Sequence, residues 1–288
     1  MAKQQKTDKK IKTNKVSKTE VTVSFLSVLT VIAIWYVLTN PIVEKLYFPS
    51  PKDTISVVGR MKGVLLEYFF ATMYRVVVGM LIGAFLGILC GIAMTWNKWI
   101  NSVLDPLIEG FRPIPAIALI PFFILWFGIG DLGKLILTAI GGFTVMVVTT
   151  IEAVKNVSPI YIMAARTLGA DSWAIYRTII LPAITPTLIG GLRVTIALSF
   201  ALVIAAEFMG AQSGLGYLIM LARRTLQTDA ILVGIIIIGI TSWIVDRMVR
   251  ILGDYIPFYF RYVYNLEKHK AFKLATKPRT INYPISEV

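Results

Sequence analysis

The chain has 288 residues, of which 56% are hydrophobic and 16% are charged, so a water-soluble globule of this composition could not bury its apolar surface. Its net charge of +13 at pH 7 would also suit a nucleic-acid-binding protein. The basic residues are concentrated at the two ends, however: seven lysines lie within residues 1–20, and eight Lys or Arg within residues 247–279. Basic segments that flank hydrophobic ones are typical of the cytoplasmic side of membrane proteins, so we exclude nucleic acid as the partner and predict the lipid bilayer instead.

The apolar segments predict an all-α integral membrane protein, a polytopic bundle of about six transmembrane helices. The spans are predicted at residues 21–38, 76–95, 114–127, 135–150, 188–206 and 230–245. An even number of spans and two basic ends place both termini in the cytoplasm. We therefore divide the chain into a basic cytoplasmic N-terminal segment (1–20), a membrane domain (21–260) and a basic cytoplasmic tail (261–288).

The second predicted span carries a regular pattern of glycines. They recur at every fourth residue and therefore lie on one face of a helix: Gly79, Gly83, Gly87 and Gly91. Such a face lets another backbone approach closely, so the pattern predicts tight helix packing. We interpret it as structural rather than as part of a transport path.

The third predicted span is interrupted by proline. Pro113 and Pro115 lie at its start, and Pro121 follows. Because proline lacks the backbone N–H and clashes with the preceding turn, these residues should kink or interrupt the helix. A membrane tolerates a broken helix where protein or a water-lined path satisfies the freed carbonyls, so all three prolines are candidate pore or gate residues.

The segment 158–182 is predicted to be a cytoplasmic loop that forms two short helices. Ser158 followed by Pro159 is a typical helix start, because serine can cap the helix and proline suits its first position. Gly169 can end this first helix in the left-handed conformation. Asp171 can then cap the second helix.

The second short helix of the loop is predicted over residues 172–181 and should stop at Pro182. It would expose four large apolar side chains, namely Trp173, Ile175, Tyr176 and Ile179. Because water disfavours an apolar patch of this kind, the loop is expected to bind a protein partner.

Three ionisable side chains lie within or beside the spans, where a charge is costly and usually has a partner or a role in transport. Arg75, at the start of the second span, is predicted to extend toward the outer interface. Arg193 can extend toward the interface likewise or pair across the bundle, and both a structural and a gating role stay open. Glu207 is a candidate gate residue that could pair with Arg75 or Arg223.

The loop also contains a family motif. Met163-Ala164-Ala165-Arg166-Thr167-Leu168-Gly169 is followed after nine residues by Ile179-Ile180-Leu181-Pro182. This spacing resembles the EAA loop of importer permeases of the ATP-binding-cassette (ABC) class, with Met163 where that family usually has glutamate. The resemblance implies that the loop forms a coupling helix that docks on an ATPase subunit. The implied coupling residues are Ala164, Ala165, Gly169, Asp171, Ile179, Leu181 and Pro182.

A second set of motifs resembles the permeases for nitrate, taurine and other sulfonates. These are Arg112-Pro113-Ile114-Pro115-Ala116, Leu125-Trp126-Phe127-Gly128-Ile129-Gly130, Ala205-Ala206-Glu207, Gly214-Leu215-Gly216-Tyr217 and Thr228-Asp229. The resemblance implies a homodimer in the cytoplasmic (inner) membrane of a bacterium or archaeon, with an ATPase dimer inside and a substrate-binding protein outside. It also implies inward transport of a small anion by alternating access, and related permeases carry bicarbonate, phthalate or vitamin precursors.

The sequence shows no sign of an enzyme. It has no Gly-x4-Gly-Lys-Ser/Thr phosphate loop, no plausible Ser-His pair in the spans and no metal-ligand cluster. We therefore predict no catalytic residue, cofactor or metal in this chain, and expect ATP and Mg to bind the ATPase subunit. The alternative function is a stand-alone secondary transporter of six helices, which would predict inverted repeats and intramembrane carboxylates. The sequence displays neither.

Overall fold

The computed structural model describes residues 18–39 and 49–275, and this part of the chain is helical without any strand. Beyond residue 253, and at some positions of the first helix, only the backbone is described. The helices are α1 (Lys18–Thr39), α2 (Pro51–Arg60), α3 (Lys62–Trp96), α4 (Lys98–Phe111), a 3₁₀ turn (Ala116–Leu119), α5 (Ile120–Phe127), α6 (Asp131–Lys155), α7 (Pro159–Thr167), α8 (Ser172–Ile175), a π turn (Tyr176–Ile180), α9 (Leu181–Met209), α10 (Leu215–Arg224) and α11 (Thr228–Ala275).

Within the described residues, four helical segments are long and apolar enough to cross a membrane. They are α3, α6, the segment Ser172–Met209 that contains α8 and α9, and the part Thr228–Gly253 of α11. Helix α4 and the segment Ala116–Phe127 are bent by 83° against each other and make a fifth span if taken together. Helix α1, with 22 residues, covers the predicted first span. The predicted all-α membrane bundle is confirmed, but the predicted third span is one arm of a bent pair rather than a span by itself.

The predicted terminal segments lie partly outside the described residues. This applies to residues 1–17 and 276–288. The boundary predicted at residue 261 lies within α11, which continues to Ala275 as one helix.

Helices α3 and α6 pack closely along the glycine face of α3, as the sequence predicts. A Cβ atom added at Gly79, Gly83, Gly87 or Gly91 would overlap atoms of α6, in order those of Thr138, Ala139, Phe143 and Thr150. Since lipid is as apolar as the helices, such close van der Waals contact is what holds helices together in a membrane. The two helices therefore form a tightly joined pair at the centre of the bundle.

Replacing Gly83 with alanine should destabilise the bundle, because the new methyl group meets the backbone of Ala139 rather than a flexible side chain. Overpacking of this kind costs about 1–3 kcal/mol, to be measured by equilibrium unfolding in detergent. Gly190→Ala on α9 is the matched control, since no atom lies within 4 Å of a Cβ there. Equal stability of the two variants would show that α3 and α6 are not packed this closely.

Helix α9 completes the core by packing on the α3–α6 pair. Val76 of α3 is fully buried against Ile196 and Val203 of α9. The short α5 lies alongside, with Phe123 buried against Leu137 of α6. The core therefore comprises helices from before and after the predicted coupling loop.

The bundle has two ends that differ in chemistry. At the loop end, Trp96 at the end of α3 contacts Tyr176 of the π turn. At the opposite end, which we call the cluster end, Arg75 of α3 contacts Glu207 near the end of α9. Helices α2 and α10 pack on the first turns of α11 at this cluster end. The long helix α3 thus reaches both ends.

Candidate functional site

The first helix of the loop, α7, begins and ends where the sequence predicts. Pro159 lies in its first turn after Ser158, although the serine side chain makes no capping hydrogen bond. Gly169 has φ +80°, the left-handed conformation. Its N–H donates to the carbonyl of Arg166 at 2.9 Å, and the N–H of Ala170 donates to that of Ala165 at 3.0 Å. This pair of bonds is a Schellman motif, which ends the helix and directs the chain toward α8.

The second helix of the loop starts as predicted but does not stop at Pro182. The Asp171 carboxylate accepts a hydrogen bond from the N–H of Ala174 at 3.0 Å and caps α8. The chain then forms the π turn and continues into α9, with Pro182 in the first turn of that helix. The prediction fails because the N–H of Leu181 bonds to the carbonyl of Tyr176, five residues back. The widened turn accommodates a proline that an α-helical register would exclude.

The loop exposes an apolar surface, but with different residues from those predicted. Ile175 is 4% exposed and Tyr176 is half-buried, because they pack over the ends of α6 and α9. Ile179 is half-buried as well. Trp173 alone of the four predicted residues is exposed. Leu168, at the end of α7, is 87% exposed. We define the docking face as the exposed large apolar side chains of the loop, namely Ile160, Tyr161, Met163, Leu168 and Trp173.

The coupling residues implied by the motif fall into two groups. Ala164, Gly169 and Asp171 are exposed next to the docking face. The others are half-buried, namely Ala165, Ile179, Leu181 and Pro182. Of these, Ala165 and Leu181 pack against the buried residues that join the loop to the bundle. The structure therefore separates residues that can touch a partner from residues that hold the loop in place.

At the cluster end, Arg75 is buried rather than extended toward an interface. Its side chain is 4% exposed, so the predicted snorkelling is wrong. The guanidinium donates to Glu207 Oε1 at 2.5 Å and to Asp131 Oδ1 at 2.7 Å. It also donates to the backbone carbonyl of Ser213 at 2.7 Å and to its hydroxyl at 2.9 Å. Acceptors from three separate parts of the chain make burial of this charge possible.

Glu207 is 1% exposed and has several donors besides Arg75. It accepts hydrogen bonds from the Thr72 hydroxyl at 2.9 Å and from the Gly216 N–H at 2.8 Å. The carboxylate therefore lies at the start of α10, where the free N–H groups of a helix favour a negative charge. A Cβ at Gly216 would overlap the Glu207 side chain, so the glycine is required by this close approach. Of the two partners predicted for Glu207, Arg75 is the observed one.

Lys134 completes the buried charges and was not singled out in the sequence. It is 5% exposed, and its Nζ donates to the carbonyls of Ile129 and Gly130 at 2.5 and 2.8 Å. We define the charge cluster as Arg75, Asp131, Lys134 and Glu207, whose formal charges cancel. The signal available in the sequence is a lysine four residues after Gly130 and three after Asp131, at the start of a span. Together the cluster joins α3, α6, α9 and α10.

Arg193 pairs across the bundle, which was one of the two predicted alternatives. It donates to Asp246 of α11 from Nε at 2.7 Å and from Nη2 at 3.0 Å, a bidentate ion pair. Both side chains are about one-third exposed. Arg193 is therefore not a free cation, because its charge is balanced in place.

The predicted proline break is present between α4 and α5. Pro113 and Pro115 lie in the non-helical turn at the 83° bend, and both are exposed. Pro121 differs, since it occupies the first turn of α5 and causes no kink there. An apolar cavity of about 340 Å³ lies beneath the bend, lined among others by Phe111 and Ile114. Whether the prolines line a pore stays a prediction.

Residues 83–256 match the family described as "Binding-protein-dependent transport system inner membrane component". The chain belongs to this family. The matched region contains the loop, the proline break, Arg193 and Glu207, whereas Arg75 lies just before it. This membership does not favour a stand-alone secondary transporter.

Several relatives of known name are similar over most of their length. The taurine transport system permease protein TauC of Escherichia coli is 30% identical over 241 residues, covering 81% of this chain and 88% of the relative. The putative aliphatic sulfonates transport permease protein SsuC of Bacillus subtilis is 32% identical, covering 77% and 82%. A solved inward-facing structure of the MetNI methionine ABC transporter matches with a TM-score of 0.57, covering 70% of this chain and 98% of the matched one. At 20% identity, that likeness shows the fold alone. The binding-protein-dependent permease thus belongs to the ABC transporter permeases that include TauC and SsuC.

Proposed function

We propose that this permease moves a small anion such as a sulfonate, taurine or nitrate inward by alternating access, driven by a partner ATPase. In this proposal it works as a homodimer in the cytoplasmic membrane, with an ATPase dimer inside and a substrate-binding protein outside. The family description and the printed functions of TauC and SsuC support the transport class. Both termini are proposed to be cytoplasmic, on the basis of the basic ends of the sequence.

The docking face is the observation that supports an ATPase as the partner. It presents five large apolar side chains, each more than half exposed, and among them the Trp173 ring also contacts that of Trp96 at the end of α3. Lys155, Arg166 and Arg177 are exposed around it, which supports a cytoplasmic position. A protein groove that covers the docking face would bury this surface and hold the loop.

The uncovered face of α9 supports a path for an anion. Its exposed residues are mostly small, with Gly190, Ala197 and Ala201 at helical spacing. Small side chains bring the backbone dipoles close to a passing ion, and a strong fixed cation on the path would trap it. Arg193 neighbours this face, but Asp246 neutralises its charge. In the proposed homodimer, this face lines the path together with the proline bend.

The charge cluster is proposed as the gate at the outer end of the path. Its ion pairs and hydrogen bonds join four helices at the end opposite to the loop. When the ATPase dimer closes and pulls the loops together, the helices rotate and the outer end opens to the loaded binding protein. Hydrolysis then resets the gate. All ATP chemistry takes place in the partner.

Leu168→Asp should separate the permease from its ATPase. Because Leu168 is 87% exposed here, the change should leave the fold intact, but it places a charge where an apolar contact is proposed. Losing one buried leucine contact corresponds to at least a tenfold weaker association, about 1.5–3 kcal/mol. The measurement is ATPase retained on the affinity-purified permease, together with ATP-dependent uptake into proteoliposomes.

The control for Leu168→Asp is Asn156→Asp, which adds the same charge at an exposed position of the loop end outside the docking face. This variant should retain the ATPase and transport normally. If Leu168→Asp retains both as well, the docking face is not the ATPase site. Uptake by the unmodified permease that persists without ATP while ion gradients remain would overturn the proposed function as a whole.

A further inference from the structure

One side-chain hydrogen bond joins the loop to another helix within the described residues. The Tyr176 hydroxyl donates to Thr95 Oγ1 at 2.8 Å. The Thr95 hydroxyl in turn donates to the carbonyl of Ile92 at 2.9 Å or of Gly91 at 3.0 Å, so its oxygen is held in place as the acceptor. The ring of Tyr176 also lies 4.6 Å from that of Trp96, centre to centre. The π turn of the loop is therefore fastened to the last turn of α3.

Helix α3 can carry a displacement from this contact to the charge cluster. It is one helix of 35 residues without an internal proline, and Thr95 lies 20 residues after Arg75. At 1.5 Å per residue the two positions are about 30 Å apart along the helix. The glycine contacts hold α3 against α6 over this distance, and α6 contributes Lys134 and Asp131 to the cluster. The α3–α6 pair thus links the loop end to the cluster end as a rigid unit.

The covalent route from the loop into the membrane is less regular. It passes through the π turn and then through Pro182 and Pro186 in α9. Irregular turns and prolines are the places where helices bend, so this route absorbs part of any movement. A cavity of about 380 Å³ also lies between the loop and the ends of α3 and α6, with Trp96 and Arg166 in its wall. The loop has room to shift, and the Tyr176–Thr95 contact resists that shift.

We propose that Tyr176 and Thr95 are positioning residues that transmit movement of the loop to α3, and through α3 to the charge cluster. This inference rests on the proposed function, because an ATPase must move the loop. Neither residue touches the ATPase in this scheme: Tyr176 is half-buried beneath the docking face and acts on the membrane helices. Removing their hydrogen bond should therefore leave ATPase binding intact and reduce the transport obtained from each ATP.

The test uses the permease reconstituted in proteoliposomes with its ATPase subunits and binding protein. Tyr176→Phe keeps the ring on Trp96 and removes only the donor. One hydrogen bond lost predicts that the number of substrate molecules taken up per ATP hydrolysed falls about 2- to 10-fold, with ATPase activity within about twofold of the unmodified complex. Thr178→Val is the matched control, because this exposed hydroxyl bonds only to the carbonyl of Ala174 in its own turn.

Variants of Thr95 test the same bond from α3. Thr95→Val should lower the uptake per ATP as Tyr176→Phe does, and Thr95→Ser, which keeps the hydroxyl, should retain the normal ratio. The double variant Tyr176→Phe/Thr95→Val should be no worse than either single one, because both remove one interaction. A purely structural role would lower the amount of complex without changing the ratio.

The outcomes separate this inference from the proposed function. If the unmodified complex shows no ATP-dependent uptake, both fail. If the unmodified complex shows ATP-dependent uptake, and Tyr176→Phe and Thr95→Val take up as much substrate per ATP as it does, only the proposed transmission role is wrong. The transmission role is also overturned if the double variant lowers the uptake per ATP by the product of the two single effects, since the two residues would then act separately.

Discussion

Replacing Arg75 with methionine should lower the free energy of unfolding by about 3–5 kcal/mol, one of the largest single effects expected in this chain. The change leaves the Glu207 carboxylate, 1% exposed, without its counter-charge, and removes the donor of the Ser213 carbonyl. Thermal and denaturant unfolding in detergent measure this loss. Arg60→Met is the control, because Arg60 is exposed and lies 3.4 Å from Asp229. Such a surface pair contributes at most about 1 kcal/mol.

A second substitution separates stability from gating. Glu207→Gln removes the charge that Arg75→Met leaves unpaired, and the amide oxygen can still accept the hydrogen bond from the Gly216 N–H. The double variant should therefore regain much of the stability lost in Arg75→Met. If the cluster is the gate, uptake stays low despite this recovery. Uptake that returns together with stability would assign the cluster a structural role only.

The single variant Glu207→Gln gives an independent check of the gate. It keeps the size of the side chain but removes the charge that attracts Arg75. The new amide N–H₂ group also faces groups that themselves donate hydrogen bonds, such as the Thr72 hydroxyl and the Arg75 guanidinium. We expect ATPase activity to persist while uptake falls. Normal uptake coupled to ATP hydrolysis in this variant would contradict a gate at Glu207.

The parts of the fold that the sequence predicts are those set by local rules. Hydrophobic length places most of the spans, and a four-residue glycine period predicts a close helix contact on one face of α3, which Gly83 and its neighbours make with α6. Gly169 adopts the left-handed conformation that ends α7. This helix end depends only on nearby residues of the chain, so it can be predicted without knowing where the loop lies in the protein. Each of these inferences depends on residues within a few turns of one another.

The failures depend on residues far apart in the chain. The burial of Arg75 requires Asp131, Glu207 and Ser213, which lie 56 or more residues away, so a rule for an arginine at the end of a span predicts snorkelling instead. Ile175 is buried for the same reason, because the loop folds back on α6 and α9. Pro182 continues a helix since the preceding π turn changes the hydrogen-bond register, and nothing in the spacing of the motif reveals that turn.

The family motif and the structure agree on where the loop lies but assign different roles within it. Motif spacing marks Ala164, Gly169 and Pro182 alike as coupling residues. The structure places the first two at the exposed side and Pro182 at the junction with α9. It adds Leu168, an apolar residue between the defining positions of the motif, as the most exposed side chain of the docking face. Side-chain exposure, and not motif membership, identifies the surface for a partner.

Gly169→Val should abolish most of the coupling between ATPase and transport while the protein still inserts and folds. Gly169 has φ +80°, which costs an ordinary residue about 1–2 kcal/mol and a β-branched one more. No atom lies within 4 Å of a Cβ at this position, so the effect comes from the backbone and not from a clash. Relaxing the strain would undo the Schellman bonds and turn Leu168 away from its position in the docking face.

Comparing three residues at this position separates backbone strain from loss of glycine itself. Asparagine tolerates the left-handed conformation better than other residues, so uptake should fall in the order Gly, Asn, Ala, Val. The measurements are ATP-dependent uptake and ATPase retained on the purified permease, with the amount of inserted protein as the reference. Valine adds apolar surface and no charge, so it would strengthen a direct contact with the ATPase or leave that contact unchanged. If backbone strain at this position decides the effect, the valine variant should instead show the lowest uptake. Equal uptake by the Asn and Val variants would therefore show that the turn at Gly169 does not set the position of the docking face.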